Sequence, residues 1–206
     1  MKAIVFTEKN KISYQDIKTP TLAKEQVLIA VRASGLCHTD LEVLQGNYGS
    51  SAFPVVPGHE YAGTVEQIGD EVTKIKVGDN VVVDPNIECG YCLSCQNNNA
   101  HLCETLGAYG VTVNGGFAQY SVVHQNALHD IGDLPFHIAA LAEPLGCALN
   151  GIGTINAGAS NNALIFGAGP MGLLFALAAK DKGAKKITFV DINPDRLMLA
   201  ESMGFN

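Results

Sequence analysis

Short apolar runs broken by turn residues fill the first two thirds of the chain, and a different rhythm takes over near its end. Residues 3–6, 26–34, 61–68, 80–84 and 117–123 are rich in β-branched positions and bounded by turn residues, the pattern of strands. Lys76-Val77-Gly78-Asp79 marks a turn feeding the VVVD strand, and the N-terminal MKAIVFTEKNKISY predicts a first strand and a hairpin. Residues 136–153 predict a helical connection. Beyond it, Ala163-Leu164-Ile165-Phe166 is continuously apolar, as a buried parallel strand is. The string GAGPMG then opens a helical stretch to about Lys180. A strand over 186–190 and a helix over 193–203 complete a βαβα order, with Asn193 as N-cap and Pro194 at the first helical position. The pattern predicts an α/β chain with a β-rich domain over 1–150 and a partial dinucleotide-binding domain over 151–206.

Composition narrows the classes. The chain has 206 residues, 47% hydrophobic and 16% charged, a balance that excludes a disordered protein. The net charge of −7 and the lack of a basic stripe argue against nucleic-acid binding. No apolar run reaches the length of a membrane span, and the N-terminal one is too short and charge-broken for a signal peptide. Six cysteines, four of them clustered, predict metal binding in the reducing cytoplasm rather than disulfides.

The chemistry gathers in three places. Cys89, Cys92, Cys95 and Cys103 follow the spacing C-x2-C-x2-C-x7-C. Four thiolates suit tetrahedral zinc, and a shell of four leaves no open position, so this site is structural. An iron–sulfur cluster is the main rival, but its motif continues as x3-C-P, whereas here the gap is seven residues and Glu104 follows. His101 lies inside the lobe with no vacancy to fill. Cys37, His59 and Glu60 form a second group of mixed chemistry, able to hold zinc and leave a position for water or an alcohol. Gly167-Ala168-Gly169-Pro170-Met171-Gly172 is G-x-G-x-x-G between a strand and a helix. Gly167 makes the turn, Gly169 lets the backbone approach a pyrophosphate, and Gly172 packs helix on strand. Asp191 ends the next strand, where a carboxylate accepts adenosine ribose hydroxyls and repels a 2′-phosphate, so NAD is favoured over NADP. Arg196 stands near enough to blur that preference, and a solvated helix arginine is its simpler role.

These motifs resemble the zinc-containing alcohol and polyol dehydrogenases of the medium-chain dehydrogenase/reductase superfamily. The signature G-H-E-x-x-G-x5-G-x2-V is matched at Gly58, His59, Glu60, Gly63, Gly69 and Val72, with GLCHTD and the four-cysteine lobe in the family's order. The resemblance implies a GroES-like catalytic domain followed by the first half of a Rossmann domain. It implies Cys37 and His59 as catalytic zinc ligands, Glu60 as a ligand or one exchanging with water, and Asp40 fixing the histidine tautomer. It places Thr39 where a hydroxyl relays the substrate proton and His38 where a basic residue meets the cofactor pyrophosphate. Simple alcohol dehydrogenases end the relay at a histidine where this chain has Glu42. ALAEPLGCALNGI carries the E-P-L of sorbitol-, threonine- and sugar-dehydrogenase-like members, favouring Glu143 over Cys147 as the remaining ligand.

The resemblance thus implies a cytoplasmic enzyme with two zinc ions per chain. It would transfer hydride from a secondary alcohol of a polyol or sugar alcohol to NAD, as a dimer or tetramer. A dehydrogenase of simple alcohols or threonine is the alternative within the family. The chain reaches Asn206 before the strands that contact the nicotinamide, so a C-terminally truncated or fragmentary member is expected ahead of one completed by a partner chain. A non-catalytic, zinc-stabilised module is the rival from another class.

Overall fold

The computed structural model describes residues 1–48, 52–155 and 162–206. They fall into two compact units, Met1–Glu143 and Pro144–Asn206. In the first, strands β1 (Lys2–Glu8) and β2 (Lys11–Asp16) form the expected N-terminal hairpin, turned at Asn10. There follow β3 (Gln26–Ser34), helix α1 (His38–Leu44), β4 (Tyr61–Ile68) and β5 (Asn80–Val83). Two-residue strands β6 (Asn86–Ile87) and β7 (Gly107–Ala108) bracket the short helix α2 (Leu93–Gln96), and β8 (Tyr120–His124) and β9 (Leu128–Asp130) come next. The main sheet is antiparallel in the order β8-β3-β4-β5-β9.

Its core follows from alternation. Val27 and Ile29 on β3, Tyr61 and Val65 on β4, Val81 and Val83 on β5 and Val123 on β8 share one buried cluster, and the pairs on each strand are an even number of residues apart, as one face of a strand requires. Burying each such aliphatic side chain contributes about 1.5–3 kcal/mol. The tyrosine hydroxyls in that layer are satisfied: Tyr61 Oη meets Ser121 Oγ at 2.9 Å, and Tyr109 Oη accepts the His124 N–H at 2.9 Å. The turn at residues 76–79 is built as expected: Gly78 takes φ +93° and Asp79 Oδ2 accepts the Lys76 N–H at 3.0 Å.

Most expected strands and helices differ by a residue or two at their ends, and two elements differ more. The strand over 117–123 begins only at Tyr120, because Phe117 and Gln119 are bonded elsewhere: the Phe117 N–H goes to Pro57 O and the Gln119 N–H to Lys2 O. The helix over 136–153 is two helices, α3 (Phe136–Ala139) and α4 (Ala142–Thr154). Pro144 has no N–H to reach back to the Ala140 carbonyl, so it tolerates only the first turn of a new helix.

The second unit has the βαβα order read from the sequence. Strands β10 (Asn162–Phe166) and β11 (Lys186–Val190) pair in parallel, with helices α5 (Pro170–Asp181) and α6 (Pro194–Ser202). Ile187, Phe189, Ala176, Ala179 and Ala200 form its core, and Ala163 and Ile165 pack against it. The burial expected for the whole of β10 holds on one face alone: Leu164 and Phe166 point the other way and are exposed. Among the described residues, helices cover one side of this pair. No helix among them is long and apolar enough to cross a membrane. The chain is thus α/β, a β-rich unit followed by the opening strands and helices of a dinucleotide-binding fold.

Candidate metal and nucleotide sites

Cys89, Cys92, Cys95 and Cys103 come together on the excursion between β6 and β7, with their sulfurs all within 4.8 Å of one another. Cys89 Sγ lies 3.9 Å from Cys95 Sγ, and Cys92 Sγ 3.5 Å. Tetrahedral zinc with bonds of about 2.3 Å requires sulfurs about 3.8 Å apart, so the thiols already describe the edges of such a shell. The backbone is shaped for anionic sulfur as well. The Cys89 N–H donates to Cys103 Sγ and the Cys92 N–H to Cys89 Sγ, each at 3.3 Å. The Cys89 N–H holds the Cys103 thiol down at about 6, while burial and the neighbouring Cys92 push Cys95 up to about 12. A cation is what would let all four ionise together. His101 is exposed and is not among the converging ligands.

The mixed cluster is built differently. Cys37 precedes the first turn of α1, while His59 and Glu60 lead into β4, so 22 positions of chain separate groups whose ligand atoms converge within 4.8 Å. Asp40 joins the two segments. Its carboxylate is 1% exposed. Oδ2 accepts the Cys37 N–H at 2.9 Å, and Oδ1 accepts the Gly58 N–H at 3.3 Å and lies 3.3 Å from His59 Nδ1. The approach to Nδ1 is close but poorly angled for a hydrogen bond, leaving that buried nitrogen without one. Gly58 takes φ +90°, which turns His59 back toward the cysteine.

Electrostatics agree with a cation-shaped site. Burial pulls the His59 imidazole down, but Asp40 and Cys37 outweigh it and raise it to about 9. The Glu60 carboxyl is raised by burial and by the charges of Glu143 and Asp40, against the lowering effect of His59 and Cys37. A proton on His59 thus does part of what a metal would do among these ligands. The chemistry of the donor set fits zinc: one thiolate, one imidazole and a carboxylate, with an acid 3.3 Å from the imidazole Nδ1.

Other sequence candidates are placed as follows. Thr39 Oγ1 accepts from Cys37 Sγ at 3.6 Å, which sets its hydroxyl beside the cluster. His38 is largely exposed and its Nε2 lies 3.1 Å from Glu42 Oε1, whose other oxygen accepts from Asn47 Nδ2. Glu143 lies in the first turn of α4, outside the trio that converges within 4.8 Å, though its charge reaches Glu60. Cys147 is exposed. Gly35, which sequence reasoning passed over, lies against Glu60. Its only signal was its place in GLCHTD, two residues before the cysteine.

In the second unit, Gly167 takes φ +102° directly after β10, and its N–H donates to Val190 O. A Cβ on Gly172 would overlap the Gly167 carbonyl oxygen, so helix α5 sits as tightly on the turn as the motif demands. Gly169 caps α5 and Pro170 begins it, with Met171 in the first turn. Asp191 follows β11. Its Oδ2 accepts the Ala168 N–H at 2.7 Å and its Oδ1 the Asn193 N–H at 2.8 Å, bonds that hold its carboxyl below the usual range. Arg196 Nη1 stands 3.8 Å from Oδ2.

The model of the alcohol dehydrogenase GroES-like domain matches residues 23–133. The chain is 51% identical over 208 residues to the D-altritol 5-dehydrogenase of Agrobacterium fabrum, and covers 62% of that protein with 99% of its own length. It is 35% identical to D-arabinitol dehydrogenase 1 of Uromyces fabae, with 91% of this chain and 53% of that protein aligned. Among solved structures, a zinc-binding dehydrogenase from Sinorhizobium meliloti bound to NADP superposes on all of this chain with a TM-score of 0.96 at 33% identity. The match takes in 60% of that longer chain. The chain spans between half and two thirds of the length of these three proteins.

Proposed function

The chain belongs to the family of alcohol dehydrogenases with a GroES-like domain, and from that premise we propose that it carries the zinc sites and the adenine-binding half of an NAD-dependent polyol dehydrogenase. The observation that carries the reading is the convergence of Cys37, His59 and Glu60 around a buried Asp40. Residues 1–150 are the zinc-binding catalytic domain in this reading, and residues 151–206 the start of the NAD-binding domain.

Cys37, His59 and Glu60 would hold the catalytic zinc, with Glu143 as the further carboxylate. When bound, zinc supplies Lewis acidity that lowers the pKa of an alcohol hydroxyl. The Asp40 carboxylate, 3.3 Å from His59 Nδ1, would hold that side of the ring by charge, and the other nitrogen would face the metal. Thr39 Oγ1, beside Cys37, receives the proton that the substrate hydroxyl gives up. His38, in the same turn, is the basic residue that would meet the cofactor pyrophosphate. Gly167, Gly169, Pro170, Met171 and Gly172 at the N-terminus of α5 would hold the pyrophosphate. Asp191, at the end of β11, would accept the adenosine ribose hydroxyls and repel a 2′-phosphate, which supports NAD as the cofactor. The hydride chemistry belongs to the nicotinamide.

A polyol substrate is supported by the carboxylate-rich ligand set and by the names of the altritol and arabinitol relatives. Cys89, Cys92, Cys95 and Cys103 hold a second zinc as a staple. Four thiols clustered at metal-ligand spacing favour a reducing, cytoplasmic setting. The test is NADH formation by the full-length enzyme from a panel of polyols, D-altritol included. Turnover that disappears in Thr39→Val while both metals stay bound supports the assignment, and turnover unchanged by that substitution contradicts the proton path.

A further inference from the structure

Gly35 stands one residue past the end of β3, and Glu60 one residue before the start of β4. The antiparallel register pairs Ser34 with Tyr61, so Gly35 and Glu60 are the next cross-strand pair, joined by a 2.7 Å bond from the Gly35 N–H to Glu60 O. Paired residues point to the same face, with Cβ atoms normally about 4.5–5.5 Å apart. Here the geometry is abnormal. A Cβ built on Gly35 would lie 3.1 Å from Glu60 Cβ and 3.3 Å from its Cδ, and would overlap Oε2 outright. The Glu60 side chain therefore lies across Gly35, in the volume that a side chain at position 35 would fill.

The backbone does not require glycine there. Gly35 is absent from the positive-φ residues, which include Gly46, Gly58 and Gly78, so its conformation is open to any L-amino acid. What the position requires is space, and the group using the space is a buried carboxylate within 4.8 Å of the Cys37 and His59 ligand atoms.

We propose that Gly35 is a positioning residue of the mixed metal cluster: its missing side chain gives the Glu60 carboxylate the place from which it reaches the metal beside Cys37 and His59. The inference rests on the proposed metal site and adds to it a determinant that is itself no ligand. A methyl at position 35 meets Glu60 first, since the three atoms nearest to it all belong to that residue.

The experiment is a double-mutant cycle of Gly35→Ala and Glu60→Ala in the full chain. The four-cysteine site is first filled with one equivalent of zinc, and cobalt(II) is then titrated into the mixed site by its visible absorption. Gly35→Ala is expected to weaken cobalt binding by about 10- to 100-fold and to shift its ligand-field bands, the size of effect that groups supporting a metal ligand have. In the Glu60→Ala background, where no carboxylate is left to displace, the same substitution is expected to change affinity by less than about threefold. Equal effects in both backgrounds, tighter binding, or no effect in either overturns the inference. If Gly35→Ala alone fails to fold, folding of the double variant supports it, and misfolding of both contradicts it. A wild-type chain that binds no cobalt beyond the four-cysteine site removes the metal site itself, an outcome distinct from wild-type binding that Gly35→Ala leaves unchanged.

Discussion

The two cysteine-bearing sites differ in what holds them. The four-thiol lobe takes all its ligands from one stretch of 15 residues, and Tyr91, Leu93 and Leu102 around it are exposed. It has no apolar core, so the ligands themselves must do the folding. The mixed cluster has the opposite construction. Its ligands come from two distant segments, and the buried strands β3 and β4 and the carboxylate of Asp40 bring them together before any metal arrives. A site assembled by its own ligands is closed and structural, whereas one assembled by the core can leave a coordination position open for chemistry.

The largest expected effect breaks the lobe. Cys92→Ser combined with Cys103→Ser should release one metal and expose residues 88–106 to protease, cleaving at least about tenfold faster, since structural zinc binding is folding energy for the segment it closes. The cobalt spectrum of the mixed cluster should survive. Loss of both metals would show that the two sites are one cooperative unit and remove the contrast.

A second effect, of at least about tenfold in nucleotide affinity, belongs to the glycine turn, which like the mixed cluster is assembled by packing. Gly172→Ala drives a methyl into the Gly167 carbonyl, and the turn must open. Calorimetric titration with 5′-AMP checks it, and unchanged affinity would mean that the tight turn does not set the nucleotide site. The metal content of both clusters should be unaltered.

The smallest effect is a pH dependence in the second unit. Backbone N–H groups hold the Asp191 pKa below its ordinary value. A carboxylate depressed on folding adds stability that is present above its unfolded pKa of about 3.9 and is lost as pH falls through the lower folded value. Acid unfolding of the wild type should therefore be steeper below about pH 4 than that of Asp191→Asn. Parallel acid limbs would mean that Asp191 does not cap the turn.

Much of this was legible in the sequence. The four-cysteine spacing named its site directly, because consecutive ligands on a short loop leave their geometry in the numbering. Strands β3 and β4 were read with their observed ends, since alternation and turn residues mark both. Helix α1 was missed. Its seven residues are too few for helical periodicity, and its start is fixed by the Asp40 carboxylate reaching back to the Cys37 N–H, a bond no pattern of apolar positions encodes. The break between α3 and α4 was readable from Pro144 and was overridden by the apolar run around it. Gly35 was invisible for another reason: its partner Glu60 is 25 positions away, and only the strand register brings them face to face.

The most direct measurement is the number of zinc ions per chain, by mass spectrometry under native conditions, in the wild type and in Cys37→Ser combined with His59→Ala. An open, core-assembled site beside a closed one predicts two zincs in the wild type and one in the variant, with the lobe still protected from protease. One zinc in the wild type that the double substitution leaves in place would contradict it.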